Sequence, residues 1–295
     1  MPLDDTPPNN TAQYLSSNWH TTNKKIYGGN GLSFVNDPID KTKNLTVLKV
    51  EYPSGSYAPI GSRSKAGIAG GVEFFSSLSE DNYYNSALLS YDIAFDSSFR
   101  WIKGGKLPGI YGGPPGIGCS GGGKATGSNC FSVRLMWRDG GAGEAYAYIP
   151  TTDELCKSKE VICNSDYGTS FSRGVIQFST HKWSRLEIYV RMNSRSDTNG
   201  ILQVWQDGNL VIDVGNLKYR SSEDIGISSL MFSTFFGGGT PDYATHVDTA
   251  SYFKNIQYST GNVVLPENSG SSSFTISRLL ITCLTVFTGL FLYNV

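Results

Sequence analysis

Ser132, Arg134, Met136 and Arg138 alternate along one short run of the sequence, and Glu144, Tyr146 and Tyr148 alternate along the next. Side chains of a β-strand point to opposite faces in turn, so each set shares one face. Between the runs lies Asp139-Gly140-Gly141-Ala142-Gly143, where glycine can take positive φ and close a hairpin. If the two strands pair, Arg134 and both tyrosines project into one space. A cation beside two phenols suits an anionic substrate from which a proton must be moved.

The elements that must hold this hairpin are also strands. Leu45–Tyr52, Gly71–Phe75, Ala87–Phe95, Lys182–Asn193, Ile225–Phe236 and Ser251–Tyr258 read as strands, and Phe99–Gly109 leads into a Gly/Pro/Ser loop from Ile110 to Ser128. Gly200–Asp213 reads as a hairpin about Asp207-Gly208. Residues 151–170 read as a loop. No helical period exceeds two turns. Repeated short strands with frequent turns point to an all-β sandwich or jelly roll. Of 295 residues, 17% are charged, and the net charge is −1. No global field favours nucleic acid, so anion binding must come from a local cluster.

The expected organisation is a disordered segment over 1–13, one β domain over 14–260, a Ser/Gly/Pro linker over 261–273 and a hydrophobic tail over 274–295. There are five cysteines. Cys119, Cys130, Cys156 and Cys163 permit three pairings. Cys119–Cys130 and Cys156–Cys163 are favoured because each would staple a long loop beside the central hairpin. A metal site is not expected, since no CxxC occurs and the histidines are not at ligand spacing. Sequons at Asn9 and Asn44 would accept glycans in a secretory compartment. No secretory leader is visible from Met1, which conflicts with the other secretory signs. The tail's uncharged run of about 15 residues is short for a bilayer span, which needs about 20. With small residues at Asn268-Ser269-Gly270 and a polar spacer to Arg278, it reads as a GPI signal with attachment at Asn268; a retained helix from Phe274 to Tyr293 is the rival. The expectation is an extracellular, surface-anchored monomer.

Lys103-Gly104-Gly105-Lys106-Leu107-Pro108-Gly109-Ile110-Tyr111-Gly112-Gly113 resembles the KGGKLPG(L/I)YGG motif of polysaccharide lyase family 14. The runs Ser132–Arg138 and Glu144–Tyr148 resemble that family's next two strands, and Phe235-Phe236-Gly237-Gly238 its late FFGG signature. The resemblance spans about Asn18 to Tyr258. It implies a concanavalin-like β-jelly roll whose concave face cleaves a uronate polymer, of alginate or glucuronan type, by β-elimination without a cofactor. It further implies catalytic roles for Lys106 (with Lys103 as the fallback), Ser132, Arg134, Tyr146 and Tyr148.

Chemistry agrees with those roles. Removing the C5 proton of a uronate puts negative charge on its carboxylate, which Arg134 and Lys106 could neutralise. Tyr146 and Tyr148 would act as base and acid, in an order the sequence leaves open. Lys103, Arg138, Glu144 and Trp137 are expected to bind substrate. The bland readings stand beside these. The tyrosines could be cross-strand packing, Arg138 and Glu144 a structural pair, and Trp101, Trp137 and Trp205 core residues. A non-catalytic, lectin-like jelly roll is the competing function. A glycoside hydrolase is disfavoured because Glu73, Glu144 and Glu187 are scattered, whereas retaining hydrolysis needs two carboxylates about 5 Å apart.

Overall fold

A computed structural model describes residues 10–22, 25–58, 68–78 and 82–267. Two seven-stranded antiparallel sheets face one another. The first has the order β1 (Leu32–Asn36), β2 (Thr46–Tyr52), β14 (Thr249–Thr260), β4 (Ser86–Phe95), β10 (Ser184–Arg191), β11 (Gly200–Gln206) and β12 (Asn209–Leu217). The second has the order β3 (Val72–Ser76), β13 (Ile227–Phe236), β5 (Gly104–Gly112), β6 (Phe131–Arg138), β7 (Ala142–Tyr148), β9 (Thr169–Gln177) and β8 (Val161–Ile162). The chain crosses repeatedly between the sheets, giving the expected jelly-roll sandwich.

Alternation decides what lies between the layers. Leu48, Val50, Leu89, Tyr91 and Ile93 of the first sheet meet Phe74, Val133, Leu135, Trp137 and Phe232 of the second. Trp137 packs edge-on against Tyr52, Phe95, Phe99 and Phe236. The buried Tyr52 hydroxyl is satisfied at both ends of its span, 2.6 Å from Thr234 Oγ1 and 2.7 Å from Ser251 Oγ. A second, smaller cluster lies on the opposite face of the second sheet, built from Tyr111, Met136, Tyr146, Tyr148, Met231 and the Cys119–Cys130 pair. That face holds the residues of the candidate site.

Several boundaries differ from the expected ones. Residues 10–13 are not disordered: Asn10 accepts a hydrogen bond from the Gln13 amide and caps helix α1 (Thr11–Asn18), whose Thr11 hydroxyl accepts from Phe34 of β1. The stretch 151–170 holds a capped turn of helix, α2 (Asp153–Cys156), as well as β8 and the start of β9. β1 itself was hidden in a short run between Gly31 and Asp37-Pro38. Both favoured disulfides are present, Cys119–Cys130 and Cys156–Cys163. Asn44 is exposed, at positive φ, just before β2. Asn9, Asn268 and the tail over 274–295 lie outside the described residues. Among the described residues no helix is long and apolar enough to cross a membrane.

Candidate active site

The expected hairpin forms. Ser132 pairs with Tyr148, Arg134 with Tyr146, and Met136 with Glu144. Paired residues of an antiparallel ladder lie on the same face, so the guanidinium and both phenols converge. The rings of Tyr146 and Tyr148 meet edge to face at 5.8 Å.

β5 supplies the amine through an irregularity. Lys106 and Tyr111 are five residues apart and would face opposite ways in a regular strand. The β5–β6 register shifts between Lys106 and Gly109, across Leu107-Pro108, and turns both residues to the site face. Gly109 then lies against Arg134's strand so closely that a Cβ would come within 2.0 Å of the Val133 carbonyl oxygen. Lys106 Nζ sits 3.8 Å from the centroid of the Tyr146 ring and 2.6 Å from Met136 Sδ.

Burial sets the electrostatics. Lys106 is 9% exposed. Its burial, with the guanidinia of Arg134 and Arg138 nearby, holds its ammonium well below the ordinary lysine pKa. Burial pushes the Tyr146 phenol the other way, above the ordinary tyrosine value. Arg134 is 1% exposed, and its Nε has no hydrogen-bond partner. Its Nη1 makes one long contact, 3.5 Å, to Ser233 Oγ, which donates at 2.8 Å to Glu73. A buried guanidinium so sparsely satisfied keeps hydrogen-bonding capacity that an anion could take up.

Main-chain amides hold both phenol oxygens. Gly168 N–H donates to Tyr146 Oη at 3.0 Å, and Gly122 N–H to Tyr148 Oη at 3.1 Å. Gly122 lies inside the loop closed by Cys119–Cys130. The Ser132 hydroxyl is buried and donates at 2.5 Å to the Cys119 carbonyl, so it anchors that loop from below. Among the described residues no cluster of His, Cys, Asp or Glu is arranged to hold a metal ion.

The model of the family described as polysaccharide lyase 14 matches residues 40–256, most of the chain and all the strands of this site. The chain belongs to polysaccharide lyase family 14. The crystal structure of the family 14 alginate lyase from Aplysia kurodai is 32% identical, with a TM-score of 0.73 over 88% of this chain and 96% of that one. An alginate lyase, Aly36B, solved as a mutant with an alginate tetrasaccharide, is 18% identical with a TM-score of 0.65, covering 86% of this chain and 93% of that one. Exolysin of Paramecium bursaria Chlorella virus 1 is 28% identical over 204 residues, which are 60% of this chain and 30% of the viral protein. The chain thus matches under a third of that relative's length.

Within this family 14 chain the expected residues separate into three groups. Lys106, Arg134, Tyr146 and Tyr148 come together, with Ser132 beneath them. Lys103 stands outside β5, exposed and ion-paired with Asp242, so Lys106 is the amine that reaches the tyrosines. Trp137 is corrected: it is fully buried between the sheets and cannot touch a substrate on the other face. Glu144 is likewise fully covered. Its burial opposes ionisation, but hydrogen bonds from Arg138, Ser170 and Arg173 hold it charged, below the usual carboxylate pKa. Sequence reading missed Arg173, Ser170, Glu73 and the two loop amides. Main-chain donors leave no trace in residue types.

Proposed function

We propose that the chain cleaves a uronic-acid polymer, of glucuronan or alginate type, by β-elimination without a metal, on the outer face of its second sheet. The observation that carries this reading is the convergence of Lys106, Arg134, Tyr146 and Tyr148, with an unpartnered guanidinium nitrogen among them. The substrate carboxylate sits on Arg134, which offsets the charge that builds there as the C5 proton leaves. Lys106, its pKa lowered, is the base that takes the C5 proton. The electron pair forms the C4=C5 double bond, the C4–O4 bond breaks, and Tyr146, its phenol kept protonated by burial, gives its proton to the departing O4. Surroundings that push two pKa values apart in this way suit one group to act as base and the other as acid, and this reading moves the base from tyrosine, as the sequence suggested, to lysine. Tyr148 packs against Tyr146 and fixes its ring. The Aplysia and Aly36B proteins named above are both alginate lyases, and this supports a polyuronate as the substrate. The same reading places the enzyme outside the cell, held by its C-terminal tail; the two disulfides agree with an oxidising compartment.

The test incubates the protein with polyglucuronate and with alginate while the ultraviolet absorbance of the unsaturated product is followed, with Tyr146→Phe and Arg134→Ala beside the wild type. A signal that rises in the wild type and is lost in both variants is the expected result. A flat trace on both polymers with retained binding would establish the lectin-like alternative instead.

A further inference from the structure

β9 departs from regular pairing at one place. Its ladder with β7 jumps from Gly143–Ile176 to Ala145–Phe171, so the four residues from Ser172 to Val175 stand opposite the single residue Glu144. Ser172 takes φ 49° and Gly174 φ 91° to make this bulge. Positive φ at a serine is costly and persists where the surroundings demand it. What the bulge achieves is to swing Arg173 over Glu144, with Nε 2.5 Å from Glu144 Oε2 and Nη2 3.3 Å from Ser170 Oγ. From the other side Arg138 Nε donates to Glu144 Oε1 at 2.9 Å, and its Nη2 bonds the same oxygen. One buried carboxylate thus carries two guanidinia, a local surplus of positive charge.

That surplus faces outward. The Arg173 side chain is 42% exposed and Arg138's 20%, while Glu144's is 0%. The Arg138 guanidinium lies 5.9 Å from the Tyr146 ring. It sits four residues along β6 from Arg134, about 13 Å of strand, so an anion held there belongs to a different sugar from the one on Arg134. A polyuronate presents a carboxylate on every unit, and a planar guanidinium matches a carboxylate in shape and charge.

We propose that Arg173 and Arg138, splayed on the buried Glu144, form a subsite for the carboxylate of a uronate unit flanking the one that is cleaved. Glu144 is then a positioning residue rather than a substrate contact. The inference rests on the polyuronate reading above.

Arg173→Ala and Arg173→Lys are compared with the wild type on uronate oligomers of increasing length and on polymer. Arg173→Ala is expected to raise KM on polymer about tenfold, the loss of one charge-assisted hydrogen bond. kcat changes less, and the KM penalty shrinks as oligomers become too short to reach the subsite. Arg173→Lys restores part of the affinity, and added salt narrows the gap. A KM independent of the substitution would overturn the subsite. So would a uniform fall in kcat at every length with a lowered melting temperature, which would leave Arg173 only a prop for Glu144. Titration calorimetry with a uronate tetramer, in a Tyr146→Phe background so that substrate survives, keeps the two readings apart. If the wild type forms no unsaturated product, the lyase reading fails. The subsite still stands if Arg173→Ala weakens tetramer binding about tenfold, and fails if the two Kd values are equal.

Discussion

The Lys106 side-chain nitrogen lies 3.8 Å from the centre of the Tyr146 ring and touches Met136 Sδ. The two groups belong to different strands and meet because β5 breaks its register at Leu107-Pro108. In the proposed reaction they form a proton-transfer pair, one taking a proton and the other giving one.

Lys106→Ala and Tyr146→Phe should each reduce kcat by about 100- to 10,000-fold, the usual range for a positioned base or acid. The double variant should be little worse than either single one, because the two act in one step. Initial rates of product absorbance on the same polymer measure this. Rates that multiply would mean the residues act separately.

In the proposed reaction Lys106 works only when neutral. Its pKa is lowered by burial and by Arg134 and Arg138. Activity should therefore be present above that lowered value, including pH well under the ordinary lysine pKa of about 10.4, and be lost as the pH falls through it. As the proposed acid Tyr146 must be protonated, and burial raises its pKa, so the alkaline fall should come later than an ordinary phenol near 10 would give. Arg138→Gln removes a cation that depresses Lys106 and should move the acid limb to higher pH. A limb that stays in place or moves down would exclude Lys106 as the base.

Glu144→Ala removes the buried carboxylate that joins the Arg138 and Arg173 guanidinia. Breaking one side of a buried charge network costs about 3–5 kcal/mol. Urea unfolding should show a loss in that range, larger than for Arg173→Ala, whose side chain is partly in water.

Trp137→Ala should cost about 3–5 kcal/mol through the cavity left between the sheets. Trp137→Phe should lose less stability and leave KM for polymer unchanged. A KM that rises in the phenylalanine variant at unchanged stability would restore Trp137 to the substrate face.

Replacing Cys119 and Cys130 together by serine frees the loop that carries Gly122. Loss of a disulfide across so short a loop costs about 2–4 kcal/mol of stability. kcat should fall as well, since the Tyr148 oxygen loses its fixed amide donor. Thermal melts beside rates at a temperature where both forms are folded separate the two effects.

The hairpin was legible because its two runs alternate cleanly and its turn is rich in glycine, so the shared face of Arg134, Tyr146 and Tyr148 followed from period two alone. Trp137 was expected on the substrate, yet it shares its parity with Val133 and Leu135, and the core takes all three. Arg173 was invisible for the opposite reason. It reaches the site only because Ser172 and Gly174 break the strand's period. The helix at Thr11–Asn18 escaped notice because its stability comes from a cap and from packing on β1, not from a long apolar stripe. Lys106 was found through its motif; that it is aimed at Tyr146 depends on a bulge that residue types alone do not specify.

β6 is read by two audiences at once: its odd-numbered residues fill the sandwich and its even-numbered residues lie on the candidate site face. A substitution there disturbs one side. A single-residue deletion within Phe131–Arg138 would exchange the two sides, turning the guanidinium of Arg134 toward the hydrophobic interior and the indole of Trp137 toward the sugar. The length of that strand therefore matters as much as the identity of Arg134, since either change takes the guanidinium off the site face.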